Sequence, residues 1–153
     1  YFLNTYARED TMKVSTILDQ KGHSVVTVPP DATVDVLADV LAKHNIGAVV
    51  VSADGNSVDG IVSERDVVRA IATLGAGIVD ARIDAIMTPA VAVCDAADST
   101  DDLMLTMTER RIRHVPVVAD EKLDGIVSIG DVVRVTVAQL EEDKATLLGY
   151  ITQ

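Results

Sequence analysis

One phrase is written twice in this chain. GIVSERDVVRA occupies residues 60–70 and GIVSIGDVVRV residues 125–135, and the two agree at eight of eleven positions. A long internal repeat constrains a fold more than a local motif does. Like sequences fold into like units, and two small units bury more surface together than either does alone. The match runs beyond the phrase. PDATVDVLADVLAKHNIGAVVV (30–51) aligns with AADSTDDLMLTMTERRIRHVPV (96–117), and KVSTIL (13–18) with RIDAIM (82–87). This register sets Val50 opposite Pro116.

Each copy reads as the same order of elements. A short helical lead-in is followed by an apolar strand, SVVTV (24–28) or AVAVC (90–94). A helix comes next, with apolar residues at helical spacing: Val34, Leu37 and Leu41 in the first copy, Leu103 and Met107 in the second. Ser99 with Asp102 reads as a capping box at the second of these. Then come a strand (IGAVVV, RHVPVV), an Asp- and Gly-rich turn, and a third strand (VDGIVS, LDGIVS). The final helix starts at Glu64 or Ile129. Gly75 ends it in the first copy, whereas the second runs on through VAQLEEDKATLLGYI. The expected fold is α/β (α+β): two β-α-β-β-α repeats packed sheet to sheet as a pseudo-two-fold pair, with equivalent clefts between them. Residues 1–11 are set aside as a terminal arm, native or introduced. Residues 12–76 are repeat 1, 77–140 repeat 2, and 141–153 a helical extension.

Composition narrows the function. The 153 residues are 48% hydrophobic but only 3% aromatic, so the core is aliphatic. The net charge of −11 argues against DNA as a partner, because a sequence-independent binder needs a basic surface to displace counterions. No apolar run approaches the ~18 residues of a membrane span, and the N-terminus lacks the pattern of a signal peptide. Cys94 is the only cysteine, which fits a reducing compartment; in its apolar run it reads as a core residue rather than a nucleophile. His23, His44 and His114 are not spaced as metal ligands with one another or with Cys94, and no phosphate-binding glycine loop or nucleophile elbow is present. The expectation is a protein that is not an enzyme, needs no metal or cofactor, and works in the cytoplasm.

The repeated phrase has two readings. In one, Ser63 and Asp66, and likewise Ser128 and Asp131, are capping boxes where a strand turns into a helix. In the other, the same junction presents free N–H groups to an anion, the Ser hydroxyl donates to phosphate or sugar, and the Asp accepts from a ribose diol. Arg65 adds charge in the first copy, where the second has Gly130.

GIVSERD and GIVSIGD follow a G-h-x-[S/T]-x-x-D pattern, h being apolar. With PDATV, IGAVVV, IMTP and IRHVPVV, they resemble the cystathionine-β-synthase (CBS) domain, and two in tandem resemble a CBS pair, or Bateman module, over roughly residues 12–140. The resemblance implies a regulatory module that binds an adenosine-containing effector: AMP, ADP, ATP, NAD(H) or S-adenosylmethionine. It also implies that the Ser-x-x-Asp of one repeat faces the middle strand of the other. One cleft would then combine Ser63, Arg65 and Asp66 with Val91, Ala92, Ile112, Arg113, His114, Val115 and Pro116. The mirror cleft would combine Ser128, Gly130 and Asp131 with Val25, Val26, Ile46, Gly47, Ala48 and Val49. The first has Arg65, Arg113 and His114 for a phosphate; the mirror cleft, with Gly47 and Ala48 at the matching positions, lacks that charge and suits a neutral group or none. Two rival readings stay open: an interaction module with vestigial clefts, and a regulatory fragment of a larger enzyme or transporter.

The final helices carry apolar stripes: Val67, Val68, Ala70, Ile71 and Leu74 in the first, Val132, Val133, Val135, Val137 and Leu140 in the second, then Leu147, Leu148 and Ile151. A stripe of this size points to a homodimer, as does the resemblance, and a protein target is expected besides the small-molecule nucleotide.

Overall fold

A computed structural model describes residues 11–89 and 91–152. The order is α1 (Val14–Lys21), β1 (Thr27–Val28), α2 (Val34–His44), β2 (Ala48–Val51), β3 (Gly60–Ser63), α3 (Glu64–Leu74), α4 (Thr100–Arg110), β4 (His114–Ala119), β5 (Lys122–Ser128) and α5 (Ile129–Ile151). Two 3₁₀ segments, Gly75–Asp80 and Ile83–Ala85, join the halves. The helices bury the stripes that their spacing predicts. In α2 these are Val34, Leu37 and Leu41, and in α4 Leu103 and Met107. At the start of α4, Ser99 accepts from the N–H groups of Asp101 and Asp102, so only the Ser half of the expected box forms. Helix α3 stops at Gly75, whose φ of 66° few other residues adopt easily. Helix α5 meets no such stop and runs to Ile151.

The first strand of each repeat is shorter than its sequence suggests. Only Thr27 and Val28 pair, parallel to Val50 and Val51, in a sheet ordered β1-β2-β3 with β2 and β3 antiparallel. In the second repeat the expected strand 90–94, of which Ala90 lies outside the described residues, shrinks to one parallel bridge between Cys94 and Val117 beside the antiparallel pair β4-β5. Pro116 supplies the reason. Its carbonyl accepts from the Cys94 N–H at 3.0 Å. A residue's N–H and C=O leave a strand on the same side, so the edge facing 91–94 has a proline nitrogen where the ladder needs its next donor.

The lead-ins cross over. Val14, Ile17 and Leu18 of α1 pack among Leu103, Met107, Val115, Val117, Val127, Val132 and Val135, the core of the second repeat. Ile83 packs among Val28, Leu37, Leu41, Val49, Val51 and Val62, the core of the first. Backbone bonds hold the exchange. Val14 N–H donates to Asp98 at 2.9 Å, and Ile83 N–H to Ala32 at 2.8 Å. This arrangement explains the glycine that opens the repeated phrase. A Cβ on Gly125 would sit 2.7 Å from Leu18 Cδ2, and one on Gly60 would sit 2.7 Å from Met87 Sδ and 3.0 Å from the Thr88 carbonyl. Each glycine makes room for the lead-in of the other copy.

Candidate functional site

Both Ser-x-x-Asp units are complete capping boxes. At α3, Asp66 Oδ2 accepts from Ser63 N–H at 2.8 Å and from its hydroxyl at 2.9 Å, and Asp66 N–H donates to Ser63 Oγ. At α5, Asp131 Oδ2 accepts from Ser128 N–H at 2.9 Å, and Asp131 N–H donates to Ser128 Oγ at 3.2 Å. The two carboxylates differ in their other partners. Among the described residues Asp66 Oδ1 has no partner, so it is free to accept. Asp131 is fully engaged: Lys21 Nζ reaches Oδ2 at 2.8 Å and Arg134 reaches Oδ1 at 3.4 Å. Burial alone would raise the Asp131 carboxyl, but the Lys21 and Ser128 hydrogen bonds and the Lys21 charge outweigh it and hold the group below the usual carboxylate range.

The start of α3 opens on a cleft of about 140 Å³. Ser63, Arg65 and Asp66 line it, with Arg69 one turn on and Arg111, Ile112, Arg113 and His114 from the end of α4 and the start of β4. Of the residues expected here, Val91 and Ala92 are half-buried outside this lining, and Val115 and Pro116 are buried. The start of α5 opens on a second cleft of about 360 Å³, where Ser128 meets Val25, Val26, Ile46, Gly47 and Ala48. Val49 is in the core, Asp131 is buried, and Gly130 is outside the lining. Gly47, Ala48 and His114 line both clefts and form the seam between them.

Two charges differ from the sequence reading. The mirror cleft is not devoid of cations, because the crossed lead-in brings Lys21 into it. Its charge is largely spent on Asp131, and its ammonium also donates to the Ile126 carbonyl at 2.8 Å. His114 in turn is not a ready cation. Burial first, then the charges of Arg113 and Lys21, push its pKa below 6.5, against a weaker pull from Asp131 and Glu64. Near neutral pH it offers a neutral imidazole. Arg69, Arg111 and Lys21 were absent from the expected site. Arg69 had a visible signal, since the repeated phrase carries it one turn after Asp66; Lys21 had none without the crossover.

Burial raises the Cys94 thiol to about 12, with Asp98 and Asp95 adding to the shift, so it stays protonated and inert. Among the described residues no cluster of three or more His, Cys, Asp or Glu could hold a metal ion, and no helix is long and apolar enough to cross a membrane. The arrangement can hold an anion against arginines while a carboxylate accepts from a neighbouring diol.

The CBS domain model matches residues 17–73 and 83–138. A CBS domain-containing mitochondrial protein of Arabidopsis thaliana is 34% identical over 93% of this chain and 73% of its own length. The crystal structure of a CBS-domain protein from Agrobacterium tumefaciens is 47% identical, with a TM-score of 0.79 over 82% of this chain and 99% of that one. Some similar structures carry ligands. A CBS domain protein from Pyrobaculum aerophilum, in complex with AMP, is 30% identical with a TM-score of 0.69, covering 78% of this chain and 89% of that one. A CBS domain pair in complex with 5'-methylthioadenosine and S-adenosyl-L-methionine is 26% identical with a TM-score of 0.74, covering 85% and 99%. With two matched copies and the same fold, the chain belongs to the CBS domain family and is a tandem CBS pair.

Proposed function

We propose that this chain is a regulatory module that takes an adenosine-containing ligand between its repeats and, as a homodimer, reports the ligand to a protein target. The start of α3 carries the reading. There a carboxylate oxygen of Asp66 is left free beside a Ser hydroxyl and facing arginines, the chemistry of a ribose diol next to a phosphate. AMP in the Pyrobaculum protein, and methylthioadenosine and S-adenosylmethionine in the other pair, support an adenosyl ligand. ADP, ATP and NAD(H) share that half. No catalytic role is assigned to any residue, and the buried thiol of Cys94 fits a reducing compartment such as the cytoplasm. Thermal unfolding with and without this panel tests the reading. A ligand at 100 times its Kd stabilises the fold by ~2.7 kcal/mol, and a melt unmoved by every compound would overturn it. The clefts are unequal, so a phosphorylated ligand should bind the Arg-lined cleft at least tenfold tighter, a gap of ~1.4 kcal/mol. Two equal sites in a titration would contradict that ranking.

A further inference from the structure

We infer that the ligand of the Arg-lined cleft carries a chain of two or more phosphates, and that Arg69 and Arg111 select for it. This rests on the nucleotide reading above and names the class of nucleotide. Arg65, Arg69, Arg111 and Arg113 all line the cleft, on a chain whose net charge is −11. Among the described residues none of the four guanidiniums has an ion pair or a side-chain hydrogen bond, whereas Arg82 and Arg134 both pair with aspartates. Of the neighbouring carboxylates, Asp66 accepts from Ser63, and Glu64 lies at the seam near Gly47 and His114 and lines the groove beside α2; among the described residues neither forms an ion pair with the four arginines. A nucleoside monophosphate carries about two negative charges, which two bidentate arginines satisfy. Four free guanidiniums match a longer anion and oppose the sulfonium cation of S-adenosylmethionine.

The charges also form a track. Arg65, Arg111 and Arg113 line both the inner cleft and an adjoining outer concavity of about 350 Å³. The inner cleft alone is smaller than the ≈ 300–1,000 Å³ usual for ligand pockets, and the outer concavity brings the basic region into that range. Arg111 adds a local clue. It ends α4 in the left-handed region at φ 54°, where the first repeat has Asn45 at φ 51°. Asn suits that position better than Arg, so the arginine is held there at a backbone cost that its charge at the cleft mouth accounts for.

Calorimetry on the full chain with adenosine, AMP, ADP, ATP and inorganic tripolyphosphate is the test, with the double variant Arg69→Ala/Arg111→Asn alongside. ATP should bind at least about tenfold tighter than AMP, and tripolyphosphate should compete with it. The double variant should bring ATP to within about threefold of AMP while leaving adenosine in place. Equal binding of AMP and ATP by the wild type overturns the inference and leaves the nucleotide reading standing, as does a double variant that weakens every ligand alike. Tripolyphosphate binding with no adenosine compound bound upholds the anion track and overturns the nucleotide reading. If nothing binds, both fall. Should the double variant not fold, Arg111→Asn alone and the wild-type ratio of ATP to AMP decide.

Discussion

Asp66 and Asp131 occupy the same place in the same phrase, yet they are chemically different groups. Asp131 is buried and has both oxygens engaged, while Asp66 keeps Oδ1 open to its cleft. Two substitutions separate the capping role of Asp66 from its expected ribose role. Asp66→Ala removes both and should cost about 1 kcal/mol of stability in denaturant unfolding. Asp66→Asn keeps an oxygen that accepts from Ser63 and should melt near wild type, yet weaken nucleotide binding in calorimetry. Wild-type affinity in both variants would rule out the ribose role. His114 predicts a pH dependence. Its folded pKa lies below 6.5, so as pH falls the unfolded chain takes the proton first. The stability it contributes is therefore complete above 6.5 and is lost as pH falls from 6.5 towards the folded value. A bound phosphate favours the imidazolium, so binding should take up a proton and tighten as the solution is acidified through this window. Titrations in buffers of different ionisation enthalpy measure that uptake, and a flat profile would exclude His114 from the phosphate subsite.

At the scale of the elements, the repeated phrase is shared by three tasks. Its Gly accepts the crossed lead-in, its Ile-Val run forms strand, and its Ser and Asp start the helix. The crossover makes the glycines sensitive. Gly125→Ala drives a methyl to 2.7 Å from Leu18, and overpacking of this kind costs typically 1–3 kcal/mol. Gly60→Ala should cost at least as much, because the Thr88 carbonyl at 3.0 Å is backbone and yields less readily than a side chain. Chemical denaturation measures both, and a change within about 0.5 kcal/mol, typical of surface substitutions, would mean that the lead-ins do not cross in solution. The helices were legible from apolar spacing, and the starts of α3 and α5 from Ser and Asp at fixed offsets; at α4 the same offset formed only the Ser half of its box. The first strands were not, because an apolar run says nothing of whether its neighbour can donate. Pro116 was visible opposite Val50, but its effect depends on which edge it faces.

The whole molecule leaves much apolar surface on two helices. Val68, Ile71 and Leu74 of α3 are exposed, as are Val133, Val137, Leu140, Leu147, Leu148 and Ile151 of α5. A stripe of this extent is a liability on a lone chain, and a closed two-fold pair covers it most simply. Sedimentation at micromolar concentration should give a mass near twice 16.2 kDa, and Ile71→Glu with Val137→Glu should return it to the single-chain value. A wild-type mass of 16.2 kDa would mean that the proposed homodimer does not form. In a dimer built on these faces, ligand at Ser63 and Asp66 acts on the first turn of α3, so a shift of that helix would reach the partner directly.

Read alone, the sequence determined the duplication, the starts of the final helices, the aliphatic core and the placing of Arg65 and Arg113 in one cleft. The first three are written in local spacing and residue chemistry, and the last follows from the family resemblance. Tertiary structure decided which half each lead-in joins, because the period of an amphipathic helix specifies which face is buried and not what buries it. That choice placed Leu18 over Gly125 and Lys21 on Asp131. It made the two clefts unequal in a way that the aligned repeats do not show: among the described residues one keeps a carboxylate oxygen, Asp66 Oδ1, open beside arginines without ion pairs, and the other has both oxygens of its carboxylate engaged.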